Sequence, residues 1–242
     1  MIGTTVDSPE LPTEATDSPI WKHLQKRGRV DINDSSTTGI SPLNIYYEVY
    51  GGGAERIVFI NGMRANHQMW EENVEQFLKL GNYECLVYDH RGTGYSDTSS
   101  GVFSITSSTL AYDLKRLMDV LKWSKANIVS VSMGGMIALD FACNNTDMVK
   151  TLTLGATSAK INIPLLTGVV DSARVIFSWN SQTKFRNICL SKYTHEHLLS
   201  PAPSDSGCNT MLDYYSSVAK RKAKYRPRMA YSTKMIRLVK MV

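Results

Sequence analysis

The chain has four cysteines in 242 residues (Cys85, Cys143, Cys189 and Cys208), and no two of them stand in C-x-x-C spacing. That scarcity speaks against a disulfide scaffold and against a thiolate zinc site. Buried free thiols in a reducing compartment are the expectation. No apolar run approaches the length of a membrane span. Residues 1–20 have no apolar signal-peptide segment and are not an Arg-rich presequence. They carry Asp7, Glu10, Glu14 and Asp17 among Thr, Ser and Pro, and read as a disordered leader, with a cytoplasmic location as the default. Repeats and low-complexity tracts are also lacking. What is present is 43% hydrophobic content, enough for one globular domain with a sizeable core and a smaller lobe.

The net charge of +5 is not spread over the chain. Nine of the 27 basic residues lie between Lys220 and Lys240 with no acidic residue among them, leaving 18 basic against 22 acidic residues elsewhere. An acidic body with a basic end gives no reason to expect a nucleic-acid partner. The apolar groups at 235, 238, 239 and 242 make a helical stripe, with Lys234, Arg237 and Lys240 off it. A basic amphipathic helix can bind membrane surfaces, but a helix with a solvated basic face is the simpler expectation.

Val30–Ile32 and Leu43–Tyr50 read as an antiparallel hairpin, with Thr37-Thr38-Gly39 and Ser41-Pro42 in its turn. Apolar runs at 56–60, 83–88, 127–131 and 149–154 read as strands buried on both faces. Between them, Trp70, Val74, Phe77 and Leu78 recur at helical spacing, as do Leu110, Leu114, Leu117, Met118 and Leu121. A third helix is expected over 133–143. Strands alternating with helices imply a parallel sheet with right-handed crossovers. From Asn162 to Trp179 the pattern becomes continuously apolar and helical, and 201–207 reads as a loop.

Three strand ends carry chemistry. The strand at 127–131 runs into Ser132-Met133-Gly134-Gly135, the sequence shape of a strand–turn–helix elbow that lifts a serine hydroxyl above a sheet. Ser130 and Gly134 are small enough for the turn to close, and Gly135 lets the helix approach the strand. The strand at 56–60 ends in Asn61-Gly62-Met63. The strand at 83–88 ends in Asp89-His90-Arg91-Gly92-Thr93-Gly94-Tyr95-Ser96-Asp97. These segments resemble the G-x-S-x-G elbow, the H-G-x oxyanion loop and the D-x-R-G-x-G-x-S-D loop of α/β-hydrolases, in that family's order and over roughly residues 28–158. Ser130 stands where the elbow usually has glycine, and Asn61 where the loop usually has histidine.

The resemblance implies an α/β-hydrolase fold: a mostly parallel sheet with helices on both faces over 21–159, and a helical cap or partial cap over 160–242. It implies Ser132 as nucleophile and the backbone N–H groups of Met63 and Met133 as oxyanion donors. Ser130, Gly134 and Gly135 are then structural elbow residues. The S-M-G-G elbow is similar to that of small-molecule esterases and lactonases, so the expected partner is a small-molecule acyl substrate. No metal and no organic cofactor is implied. Oligomeric state is not readable.

The base and acid of a triad are harder to find. In this fold both follow the serine, yet no Gly-His occurs. The five histidines are His23, His67, His90, His195 and His197. Only His195-Glu196-His197 follows Ser132, and it reads as an exposed polar turn. Asp171 and Asp213 fall in expected cap helices. The simplest expectation is a truncated chain whose last core strands, acid and histidine lie beyond Val242, leaving it weakly active or inactive. The alternative is a non-catalytic binding protein built on the same fold.

Overall fold

The computed structural model describes residues 5–6, 18–63, 65–97, 105–159, 189 and 194–224, with side chains described from 18 to 218. The chain divides into two compact units, one of Asn162–Arg226 and one of the remainder.

The larger unit is built on a seven-stranded sheet: β1 (Thr5–Val6), β2 (Leu24–Asp31), β3 (Asn44–Gly51), β4 (Glu55–Ile60), β5 (Tyr83–Tyr88), β6 (Ala126–Val131) and β7 (Val149–Gly155). The order across the sheet is β1-β2-β3-β5-β4-β6-β7. The ladders β1/β2, β2/β3 and β3/β5 are antiparallel. Those of β5/β4, β4/β6 and β6/β7 are parallel.

Alternation along the central strands sorts their side chains to two faces. Val58, Ile60, Leu86, Tyr88 and Ile128 enter one apolar cluster. Ile57, Phe59, Cys85 and Val87 enter the other. Helix α3 (Ser107–Leu121) lays Leu110, Leu114, Leu117 and Met118 on the first face, and α4 (Met133–Asn144) adds Ile137, Ala138 and Phe141. Helix α2 (Glu71–Lys79) covers the second face through Val74, beside Trp70. The sheet therefore has helices on both sides, which is why strands such as β4 are apolar at every position from 57 to 60.

The hairpin departs from the sequence reading in two places. β2 begins at Leu24, six residues before the apolar signal at Val30. Its first six residues, Leu-Gln-Lys-Arg-Gly-Arg, have no alternation to read. It is a strand because it pairs with β3, and its cations lie over rings: Arg27 over Trp21 at 5.2 Å and Lys26 over Tyr47 at 5.9 Å. The expected turn instead holds a single helical turn, α1 (Ser35–Thr38), ended by Gly39 at φ 69°. Asp31 closes the hairpin by accepting the backbone N–H groups of Asn33, Ser35 and Leu43 at 2.8–3.0 Å. Burial works against its charge, but these bonds overcome that and hold the carboxyl below its usual range.

Within the expected leader, Thr5 and Val6 pair with Val30 and Arg29, and Ile20 is buried in the apolar cluster on the α2 side. Cys85 and Cys189 are buried as expected, whereas Cys143 is exposed and Cys208 half-buried. Burial pushes the Cys85 thiol up to about 12, which makes it inert.

The second unit contains α5 (His195–Leu199) and α6 (Met211–Lys224). Thr194 caps α5 by accepting the His197 N–H. Thr210 and Asp213 cap α6 reciprocally, each side-chain oxygen accepting the other's backbone N–H. Pro201 and Thr210 form an isolated bridge across the expected loop. The apolar run 162–179 and the basic stripe at 234–242 lie outside the described residues.

Candidate active site

Ser132 sits between the end of β6 and the first residue of α4 with φ 55° and ψ −124°. A side chain is rarely tolerated in that region, and the conformation costs on the order of 1–3 kcal/mol. Its surroundings hold it there. The Ser132 N–H donates to Gly155 O at 2.9 Å, and Ser132 O accepts from the Gly135 N–H at 2.9 Å and the Thr157 hydroxyl at 2.7 Å. One turn of chain is thus tied to the end of β7 and to the loop beyond it.

The glycines of the elbow are required by close approach. A Cβ on Gly134 would stand 2.4 Å from Ile60 O and 2.7 Å from Asn61 O, both backbone atoms. A Cβ on Gly135 would stand 2.5 Å from the Thr157 side chain. Ser130 is buried, and its hydroxyl donates to Thr153 O at 3.0 Å. The start of α4 is therefore in backbone contact with the end of β4. A Cβ on Gly62 would lie 3.5 Å from Ser132 Cβ, so the Asn61-Gly62-Met63 loop runs directly beside the elbow. The structure brings together all six residues singled out from the sequence: Met63, Ser130, Ser132, Met133, Gly134 and Gly135. The N–H groups at a helix start have no intrahelical acceptor, and that of Met133 is among them.

The loop that carries Met63 is held at both ends by three consecutive residues, Tyr88, Asp89 and His90. At one end, the Asn61 side-chain amide donates to Tyr88 O at 2.6 Å, and His90 Nε2 meets Asn61 O at 3.0 Å. At the other, Asp89 Oδ1 accepts the His67 N–H at 2.8 Å and faces His67 Nδ1 at 2.9 Å. Asp89 is fully buried, and its second oxygen accepts the Tyr95 N–H at 2.9 Å. A Cβ on Gly94 would lie 1.9 Å from that oxygen, so glycine there makes room for the carboxylate.

The rest of the Asp89–Asp97 loop is equally determined. Ser96 donates to Asp89 O at 2.6 Å and accepts the Tyr46 N–H at 2.9 Å. Asp97 accepts from Asn44 and pairs with Arg29. Arg91 forms a forked pair with Asp113 on α3. Burial raises the Asp113 carboxyl, and Arg91 pulls against that rise.

Burial also lowers the His90 imidazole and keeps it neutral, with Nε2–H donating to Asn61 O. His90 is thus spent on holding the loop. His195 and His197 belong to the second unit and are exposed, with the His197 ring 3.1 Å from the Tyr215 hydroxyl. Among the described residues of the first unit, no hydrogen bond joins Ser132 to a histidine, and the buried His67 and His90 are both engaged elsewhere. Sequence reading passed over His67 and Thr157. His67 had one available signal: the alternation of Tyr46, Glu48 and Tyr50 puts a carboxylate on the same apolar face that His67 joins.

Comparisons with known proteins agree with this geometry. The family model for the alpha/beta hydrolase fold matches residues 55–205. The chain is 32% identical over 108 residues to 3-oxoadipate enol-lactonase 1 of Acinetobacter baylyi, covering 45% of this chain and 39% of that protein. It is 30% identical over 111 residues to RutD of Azorhizobium caulinodans, assigned as a carbamate hydrolase, covering 46% of this chain and 40% of that one. The chain thus spans well under half the length of these curated relatives. The solved enol-lactonase of Burkholderia xenovorans LB400 shares the fold with a TM-score of 0.57 at 22% identity, over 79% of this chain and 66% of that one. A family match over more than half the chain, on a sheet whose strand ends carry the elbow and the two loops beside it, leads to one conclusion: the chain belongs to the alpha/beta hydrolase fold family.

Proposed function

We propose that this chain carries the nucleophile and oxyanion machinery of a serine hydrolase acting on a small carbonyl substrate, an ester, lactone, thioester or amide. Ser132 attacks the carbonyl carbon to form an acyl-enzyme. The negative charge that develops on the carbonyl oxygen is met by the backbone N–H groups of Met63 and Met133. The observation that carries this reading is the strained Ser132 backbone beside Gly62. A serine is held at such φ and ψ only where the surroundings over-determine it. The half-exposed Met63 side chain and the buried Met133 fit an apolar acyl group. Relatives named for lactone and carbamate hydrolysis support a carbonyl substrate.

A serine hydroxyl needs a base, and the buried His67 and His90 are both engaged elsewhere. Low activity of the 242-residue chain is therefore part of the proposal. A fluorophosphonate probe labels Ser132 slowly, and Ser132→Ala abolishes labelling. Labelling that survives the substitution places the nucleophile elsewhere.

A second reading, a binding protein without catalysis, is favoured by the same engagement of His67 and His90. It expects no labelling at any pH, and small apolar carbonyl compounds bound equally by the parent and by Ser132→Ala.

A further inference from the structure

We propose that His67 is a positioning residue: clamped as a cation between Asp89 and Glu48, it fixes the loop that presents the Met63 N–H to Ser132. The inference rests on the reading of Ser132 and Met63 given above.

The case begins with two carboxylates buried on one face of the sheet. Asp89 is fully buried, and Glu48 on β3 is 3% exposed. Each acts only as an acceptor. Asp89 takes the N–H groups of His67 and Tyr95. Glu48 takes the hydroxyls of Tyr46 and Tyr50, at 2.5 and 2.6 Å on its two oxygens. Burial and the Glu48 charge push both phenols far up, so they remain donors. Two buried anions this close need a counter-charge. The His67 ring lies between them, with Nδ1 2.9 Å from Asp89 and Nε2 3.7 Å from Glu48. A neutral imidazole carries one N–H and serves one carboxylate. The doubly protonated ring points an N–H at each, hydrogen-bonding Asp89 and standing at ion-pair distance from Glu48.

The Tyr46 and Tyr95 rings lie tilted against the His67 ring at 5.2 and 6.1 Å between centroids. Glu71, at the start of α2, adds negative potential and accepts the Ser18 hydroxyl. Arg27 on β2 acts on Tyr50 and Tyr95. Burial presses the imidazole toward neutrality, but Asp89, Glu48 and Glu71 outweigh it and lift it from 6.5 to about 9. The ring is thus cationic at neutral pH.

The consequence for the site follows from chain connectivity. Met63 stands between two anchors, Asn61 and His67, and both are fastened to residues 88–90. The Asn61 anchor contains no titrating cation. The His67 anchor does, and its loss frees the stretch of loop that includes Met63 at one end.

The test uses the 242-residue chain with ring-¹⁵N histidine and backbone ¹⁵N, followed by NMR through the alkaline range. The expected result is a His67 ring doubly protonated at pH 7, with a midpoint near 9, and a Met63 amide shift that moves with the same midpoint. In His67→Gln the Met63 inflection disappears. Fluorophosphonate labelling of the parent declines through that midpoint, and His67→Gln labels about 10²-fold more slowly without the inflection. A neutral His67 ring at pH 7 overturns the proposal, and so does a Met63 amide indifferent to the His67 titration. If His67→Gln fails to fold, the parent titration decides alone. Absence of labelling in the parent at every pH refutes the Ser132 reading instead, and leaves the two NMR midpoints to judge the clamp.

Discussion

β4 and β7 are strands of similar kind that run the same way, yet their surroundings differ completely. In β4, Ile57, Val58, Phe59 and Ile60 are all at most 2% exposed. In β7 no residue is buried, and Leu154 is 40% exposed. β4 has β5 on one side and β6 on the other; β7 has β6 alone among the described residues. The difference follows both position in the sheet and composition, since β7 carries Lys150, Thr151 and Thr153 where β4 has an unbroken apolar run. It also shows where the chain has committed its precision: the Ser132 turn, the Asn61–Met63 loop and the Asp89 loop all hang from β4, β5 and β6.

The largest expected effect breaks the contact between α4 and β4. Gly134→Val forces a side chain onto the carbonyls of Ile60 and Asn61, and loss of the folded state is expected, read as loss of soluble protein and of a cooperative melt. A Gly134→Val chain that melts normally would sink the elbow assignment. Ser130→Gly, which removes one hydrogen bond to Thr153, costs only about 1 kcal/mol.

A direct comparison of the two strands comes next. Phe59→Ala leaves a cavity between Trp70 and Phe77, which lie 5.1 and 5.8 Å from its ring, and costs about 4 kcal/mol in denaturant unfolding. Leu154→Ala costs less than about 1 kcal/mol. Equal costs would mean that β7 is covered.

Charges offer a finer comparison. His67 is raised in the folded state, so its contribution is complete below 6.5 and lost as pH rises through about 9. A decline on the order of 2–3 kcal/mol is expected across that window. At the edge, the exposed Lys150 pairs with a half-buried Glu55, whose carboxyl this pair lowers. Lys150→Met should leave the Tm unchanged. The smallest effect on stability belongs to Leu154→Lys. It changes self-association and not the melt, because a charge on a strand that is an edge among the described residues discourages strand addition. Sedimentation at rising concentration separates the two.

The central sheet was legible because its physics is local. Apolar runs at 57–60 and 85–88, helical stripes at 110–118, and small residues at 130, 134 and 135 each state their own requirement. β2 was legible only from Val30 onward, since Lys26, Arg27 and Arg29 form a strand through pairing and ring contacts that lie elsewhere in the chain. The His67 clamp was hidden for the same reason. Its partners are 19 residues upstream at Glu48 and 22 downstream at Asp89, and no spacing rule links them. The helical reading of 162–179 falls outside the described residues, and the cap assignment of 160–242 remains a proposal.

The backbone of Ser132 sets a trade-off between durability and chemistry. At φ 55° and ψ −124°, glycine would be at ease where serine is strained. A Ser132→Gly chain should therefore be harder to unfold than the parent while, under the proposed function, having nothing with which to attack a carbonyl. Any search for variants that tolerate heat is drawn toward that inert sequence, because such a selection weighs only the fold. Stabilising this chain without disarming it means gaining the energy elsewhere, at the exposed edge of β7 and not at the turn that holds the hydroxyl.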